Sequence, residues 1–237
     1  MKLPALPALL LAVALLGTLA TPAAVAPATA KAPPEPVCGV CTSALESAAS
    51  ERGVDLERGQ SEMVLRLSES GRASLVARVE IQSGAAPLRN DTLRTAIVRD
   101  VSYVLVEERL DLRTAMDGDV LVVRYAAADL AHRTLGVLQF DAFHTRGAPM
   151  FAIGGEGSPY PGADELTLRA PPGDRVHGAH GDWNNATAVR WHGDSQERYA
   201  GHIEEDVTIS FVDQVAAVPG VRVAIANAVD WARSLWP

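Results

Sequence analysis

MVLRLSESGRASLVARVEI, from Met63 to Ile81, decides how the rest of the chain is read. Met63, Leu65 and Leu67 alternate with Val64, Arg66 and Ser68, and Leu75, Ala77, Val79 and Ile81 alternate on the return. Successive side chains of a strand point to opposite faces, so a period of two marks a strand with one face in a core. Ser70-Gly71 between the two runs supplies a turn. The segment is expected to be an antiparallel hairpin.

Downstream, Pro87 introduces a helix capped by Asn90 or Asp91, with Leu93, Ile97, Val101 and Val104 on one face. A second hairpin follows, with Leu110 and Leu112 going out, a turn at Asp117-Gly118, and Leu121, Val123 and Tyr125 returning. A strand through Val137 to Phe143 is expected to join the same sheet. Upstream, Ser43-Ala44-Leu45-Glu46 fits a capping box opening a short helix that Gly53 stops. Gly and Pro dominate Arg146 to Pro161 and mark a boundary. Short strands are expected over 165–169, 188–191 and 207–212, ending at Pro219-Gly220. The reading is α+β: an antiparallel, β-rich sheet with two helices on one face over 38–145, and a smaller β unit with a terminal helix over 146–237. In that helix, Val221, Ile225, Val229 and Ala232 form a stripe expected to dock on the protein's own core. Trp231 and Trp236 give it an alternative, peripheral contact with a membrane surface.

Before the first helix the chain reads as a leader. Met1-Lys2 is followed by an apolar run to Ala20 that is too short for a membrane span, then by Ala-x-Ala sites at Ala24-Val25-Ala26 and Ala28-Thr29-Ala30. Residues 1–30 are expected to be a signal peptide for the general secretion route, with cleavage after Ala30, and 31–37 a Pro-rich linker. An uncleaved anchor is the other reading. The expected location is extracellular or at the cell surface.

Charge supports this reading. The formal net charge is −8, and the only lysines are Lys2 and Lys31, against nineteen arginines. An acidic surface with Arg as its cation suits a high-salt exterior, although a GC-rich genome gives the same Arg enrichment. With no basic run, nucleic acid is excluded as a partner, because phosphate contacts need a basic face. The sequence does not identify a partner; a protein at the cell surface is one candidate beside the membrane contact of the terminal helix.

The strongest local motif is Cys38-Gly39-Val40-Cys41. Three readings stay open. An oxidising exterior favours a disulfide closing a tight ring. A helix N-terminus beside Cys41 lowers a thiol pKa and would suit redox work. A metal site would need further ligands, because two Cys leave zinc half-coordinated. His177 and His180, spaced i,i+3 in a Gly-rich loop, with Asp182 beside them, are the candidates to complete it. No cofactor is otherwise expected. His132, His144, His192 and His202 are scattered.

Pro36-Val37-Cys38-Gly39-Val40-Cys41, a short helix, Gly53 and a hairpin turning at Glu69-Ser70-Gly71-Arg72 together resemble exported proteins of halophilic archaea. Those proteins carry a Cys-x-x-Cys just after the signal peptide and have no assigned function. The resemblance covers the N-terminal half. It implies export and a surface location, and it brings no catalytic residue with it. Such relatives often end in a hydrophobic membrane tail, where this sequence has a polar-studded helix.

No catalytic residues are identified. Ser158 lies in Gly155-Glu156-Gly157-Ser158-Pro159, which breaks the nucleophile-elbow pattern. Glu107-Glu108 and Glu204-Glu205-Asp206 read as solvated strand edges. Asn90-Asp91-Thr92 and Asn185-Ala186-Thr187 are N-glycosylation sequons in an exported chain. The expectation is a non-enzymatic structural or binding module. The alternatives are a metal-binding or thiol-redox protein, and a hydrolase with an unrecognised site.

Overall fold

The hairpin forms the centre of a large sheet. A computed structural model describes residues 36–101, 110–143, 159–197, 199–204 and 207–234. The expected leader, most of the linker, Val104, Glu107-Glu108, His144, Ser158, Glu205-Asp206 and Trp236 lie outside the described residues.

Strand β1 spans Glu57–Leu67 and β2 spans Ala73–Ser83, paired from Leu67↔Ala73 outward. Met63, Leu65, Leu75, Ala77 and Val79 are buried, while Glu62, Arg66, Ser74 and Glu80 are exposed, so the period-two reading places the core face correctly. Gly71 has φ +81°, and a Cβ there would meet the Ala131 carbonyl oxygen at 1.8 Å. Its own carbonyl accepts the N–H groups of Leu130 and Ala131. Glycine is needed at this turn both for its conformation and for the close approach.

The next hairpin joins β3, Leu110–Asp117, to β4, Val120–Ala127. Its two turn residues are Gly118 and Asp119, one position beyond the expected pair. The remaining strands are β5 (Ala131–Thr134), β6 (Val137–Phe140), β7 (Glu165–Arg169), β8 (Asp174–His177), β9 (Trp183–Asn184), β10 (Ala188–His192) and β11 (Ile209–Asp213). They make two sheets. A seven-stranded sheet runs β3-β4-β2-β1-β7-β10-β9 and a four-stranded one runs β5-β6-β11-β8. The large sheet is mixed, because β1 and β7 are parallel.

Two expectations change here. The strand at Val137 is in the small sheet, paired with β5 and β11, rather than in the sheet of the hairpin. The expected division at residue 146 does not follow a sheet boundary, because β7, β10 and β9 complete the large sheet while β5 and β6 begin the small one. Lys31–Pro237 clusters as one compact unit. Edge-to-face rings in its core relate Phe140 of β6 to Phe143 at 4.8 Å and Phe143 to Trp191 of β10 at 5.5 Å.

The helices are α1 (Ala44–Ser50), α2 (Asp91–Val101) and α3 (Pro219–Ser234). Asn90 caps α2 as expected, its Oδ1 accepting the N–H groups of Thr92 and Leu93. The capping box at Ser43 does not form. Ser43 is already helical and makes no side-chain cap, and the Thr42 hydroxyl accepts the Ala44 N–H instead. Glu46 turns away to accept the Arg58 N–H. At the far end, Val54 N–H bonds the Ala49 carbonyl and Gly53 N–H that of Ser50, a Schellman stop around Gly53 at φ +71°.

Helix α3 docks on the small sheet with a different face from the expected stripe. Val223 and Ala226 are buried with Val137 and Val212. Val221 and Ile225 are 56% and 49% exposed. The reason is polar matching. Asn227 accepts a bond from buried Gln139 and Asp230 one from buried Thr134, and turning the apolar stripe inward would strip both of partners. Pro219 and Gly220 open this helix rather than closing the strand before it.

Candidate functional site

Cys38 precedes and Cys41 ends a 3-10 turn, Gly39–Cys41, with sulfurs at 2.01 Å, the disulfide distance. Both are buried, at 1% and 0% exposure. The preceding residues are held as well. Val37 and Cys38 donate their N–H groups to the carbonyls of Tyr160 and Pro161, and Val37 is fully buried, so Pro36 and Val37, expected as the end of a linker, are held in the fold. Gly162, at φ +70°, lets these segments meet, since a Cβ there would lie 2.7 Å from Pro36 Cβ.

Behind the disulfide stands a polar junction that the sequence reading missed. Arg58 is 3% exposed. Its guanidinium donates to the carbonyl of Cys41 and to that of Ser195 at 3.1 Å. Its Nε lies 3.4 Å from Glu46 Oε1, within ion-pair range but without hydrogen-bond geometry. Asp164, just before β7, completes the junction. Its Oδ2 accepts Ser61 N–H at 2.6 Å, Ser61 Oγ at 3.2 Å and Ser195 Oγ at 2.9 Å, and its Oδ1 accepts Ser195 N–H at 3.0 Å. Burial opposes ionisation, but the N–H groups of Ser195 and Ser61, then their hydroxyls, outweigh it and hold the Asp164 pKa below the ordinary aspartate value. The register of β1 shifts between Arg58 and Ser61. Gly59 inside the strand is the sequence cue for such a bulge. Chemically this junction is spent, because each carboxylate oxygen of Asp164 already accepts from the protein.

The expected metal ligands do not converge. His177 is in β8, opposite Ser210. His180 donates from Nε2 to the His177 carbonyl at 3.0 Å, and a nitrogen carrying that proton has no lone pair for a metal. Asp182 turns to His192, accepting its backbone N–H at 2.6 Å with the ring Nδ1 at 3.5 Å. Among the described residues, no three His, Cys, Asp or Glu side chains are grouped to hold a metal ion. The two sequons are exposed. Asn90 Oδ1 serves the helix cap, and Asn185 Oδ1 accepts the N–H groups of Thr187 and Ala188 in a turn.

The outer face of the large sheet is different in kind. Its cross-strand rows follow from the register. One row carries Val122, Arg78, Glu62, Glu165 and His192, with ion pairs Arg78–Glu62 at 3.4 Å and Arg78–Asp117 at 3.2 Å. The next carries Arg113, Arg124, Val76, Val64, Thr167 and Arg190, with Arg190 stacked over Trp183 at 5.0 Å. Arg66 and Arg169 are neighbours in the row beyond. Acidic groups thus gather toward one end of the strands and arginines toward the other. No described helix is long and apolar enough to cross a membrane.

Scanned against models of known protein families, the chain matches none. A search of the curated proteins returns no match either.

Proposed function

We propose that the chain is an exported, non-enzymatic binding module of the cell surface or exterior, stapled near its start by Cys38–Cys41. The carrying observation is the contrast between its two polar regions. The buried one, around Arg58 and Asp164, is consumed by hydrogen bonds that join the N-terminal segment, β1, β7 and the 193–197 loop. The exposed one, on the outer face of the large sheet, keeps arginines facing solvent. Rigid, satisfied junctions hold a scaffold together, whereas arginines exposed on a sheet face are a residue type enriched where proteins meet partners. Burial of both sulfurs argues against redox turnover, which needs an accessible thiolate.

The test is a pair of measurements on protein from the exterior fraction. Intact mass should show loss of the leader, the two-hydrogen deficit of a disulfide and any glycan on Asn90 or Asn185. A broad screen of hydrolase and thiol-exchange substrates should show no turnover. Turnover that disappears on mutating an outer-face or junction residue would overturn the non-enzymatic reading. A metal released only on denaturation would favour the metalloprotein alternative.

A further inference from the structure

At the arginine-rich end of the outer face, the register gives the row Ala126–Ser74–Arg66–Arg169–Ala188. Arg66 and Arg169 are Cα partners on parallel strands and are both exposed. Neighbouring strands lie ~4.8 Å apart, and like charges directly opposite one another repel. On the same face Arg78 is flanked by carboxylates, Glu62 and Asp117. Among the described residues, neither Arg66 nor Arg169 has an ion pair.

The two side chains share a cleft of about 510 Å³ with Arg72, Ser74, Thr187 and the Pro171-Pro172-Gly173 turn. Small neighbours in the row leave it open. The one carboxylate lining it among the described residues, Asp174, is 7% exposed and accepts from Arg133 at 3.0 Å, so its charge is already matched. Arg72 reaches only an exposed Asp111 at 3.6 Å. A chain of net charge −8 therefore concentrates three guanidinium groups in one concave site.

We propose that this cleft binds a tetrahedral oxyanion, phosphate or sulfate, free or as an ester, held between Arg66 and Arg169 with Arg72 at the rim. Each guanidinium presents a planar fork of donors. A planar carboxylate satisfies one fork, while a tetrahedral group offers oxygens to two forks at once. The anion also cancels the repulsion that the bare pair carries. The inference rests on the binding-module reading and supplies its ligand chemistry.

The experiment is calorimetric titration of the full mature chain with sodium phosphate, sodium sulfate, phenyl phosphate and phenyl sulfate, at ionic strength held constant with chloride. Saturable binding is expected, and comparing the inorganic ions with the esters separates a free ion from an esterified one. Arg66→Gln and Arg169→Gln should each weaken binding by about 10-fold or more, the size of one lost charge-assisted contact. Arg66→Lys should retain part of it, and Arg222→Gln on α3 should bind as wild type. In chloride alone, Arg169→Gln should melt no lower than wild type, which separates loss of the site from loss of the fold. No saturable binding of any probe, or binding that both Gln variants leave unchanged, would overturn the proposal. Ester hydrolysis abolished by the same variants would support the site while refuting the non-enzymatic reading.

Discussion

Replacing Asp164 by alanine should loosen the junction between β1, β7 and the 193–197 loop. The carboxylate accepts four hydrogen bonds, from the N–H and hydroxyl groups of Ser61 and Ser195. One bond to a charged acceptor contributes ~1.5–3 kcal/mol, but these four share a single carboxylate that is only half-buried, and water re-solvates the freed donors. The set together is therefore worth about 3 kcal/mol, well short of the sum of its members. In a chain of this size that lowers Tm by roughly 6–12 °C. Asp164→Asn should be gentler. Its amide oxygen can occupy the Oδ2 position with three of the bonds, and its NH2 then faces the Ser195 N–H, a loss of about 1–2 kcal/mol. Urea unfolding at pH 7 and in acid reads both effects. The native pKa lies below the unfolded value of 3.8, so the charge stabilises fully above that value. The benefit is lost as pH falls through the lower native pKa, and the wild-type advantage over the Asn variant should shrink there. An Ala variant within ~0.5 kcal/mol of wild type, the range of an ordinary surface change, would refute this account. So would an advantage that grows in acid.

Other substitutions test other joints. Arg58→Ala should cost about 3 kcal/mol in chemical denaturation, since it orphans two carbonyls and removes the guanidinium beside Glu46, which keeps only the backbone N–H of residue 58; a loss under ~1 kcal/mol would show that the guanidinium is replaceable by water. Gly71→Ala should cost ~3 kcal/mol or more, by combining a left-handed backbone with a clash against the Ala131 carbonyl, and a soluble, equally stable variant would contradict the turn geometry. Cys38→Ala/Cys41→Ala should lower stability by about 2 kcal/mol, the chain-entropy value for so short a ring, and a thermal scan with and without reductant should give the same difference. Ile225→Ser should shift unfolding by less than ~0.5 kcal/mol, because the side chain faces solvent; a larger loss would mean that the face is covered.

The sequence disclosed what depends on local pattern. Alternation gave the Met63–Ile81 hairpin and its buried face, and Asn90 and Gly53 gave the boundaries of two helices, because caps and stops are local chemistry. Sheet membership was hidden, since β7 meets β1 about a hundred residues away through backbone groups that carry no side-chain signature. Strand β6 is buried on both faces, so its continuous apolar run could not show which sheet it joins. In α3 the apolar count favoured the wrong face, because the partner surface holds Gln139 and Thr134 and selects Asn227 and Asp230. Arg58 and Asp164 were unreadable for the same reason: their partners, backbone groups, serine hydroxyls and the Glu46 carboxylate, are made neighbours only by the completed fold. The arginine row was visible as composition but not as a row until the register was known.

The exchange of strands between the two sheets bears on how the chain can be made. While only the first hundred or so residues have emerged, β1 has β2 on one side and nothing on the other, an open edge waiting for β7. Such sequence-distant closure gives high contact order, and slow folding follows. A fragment ending near residue 143 should aggregate rather than fold, and circular permutants that keep β1 and β7 close in sequence should fold faster than the natural order. A chain that cannot cover its central strand until residue 169 is present stays threadable for longer, which would suit the export proposed above.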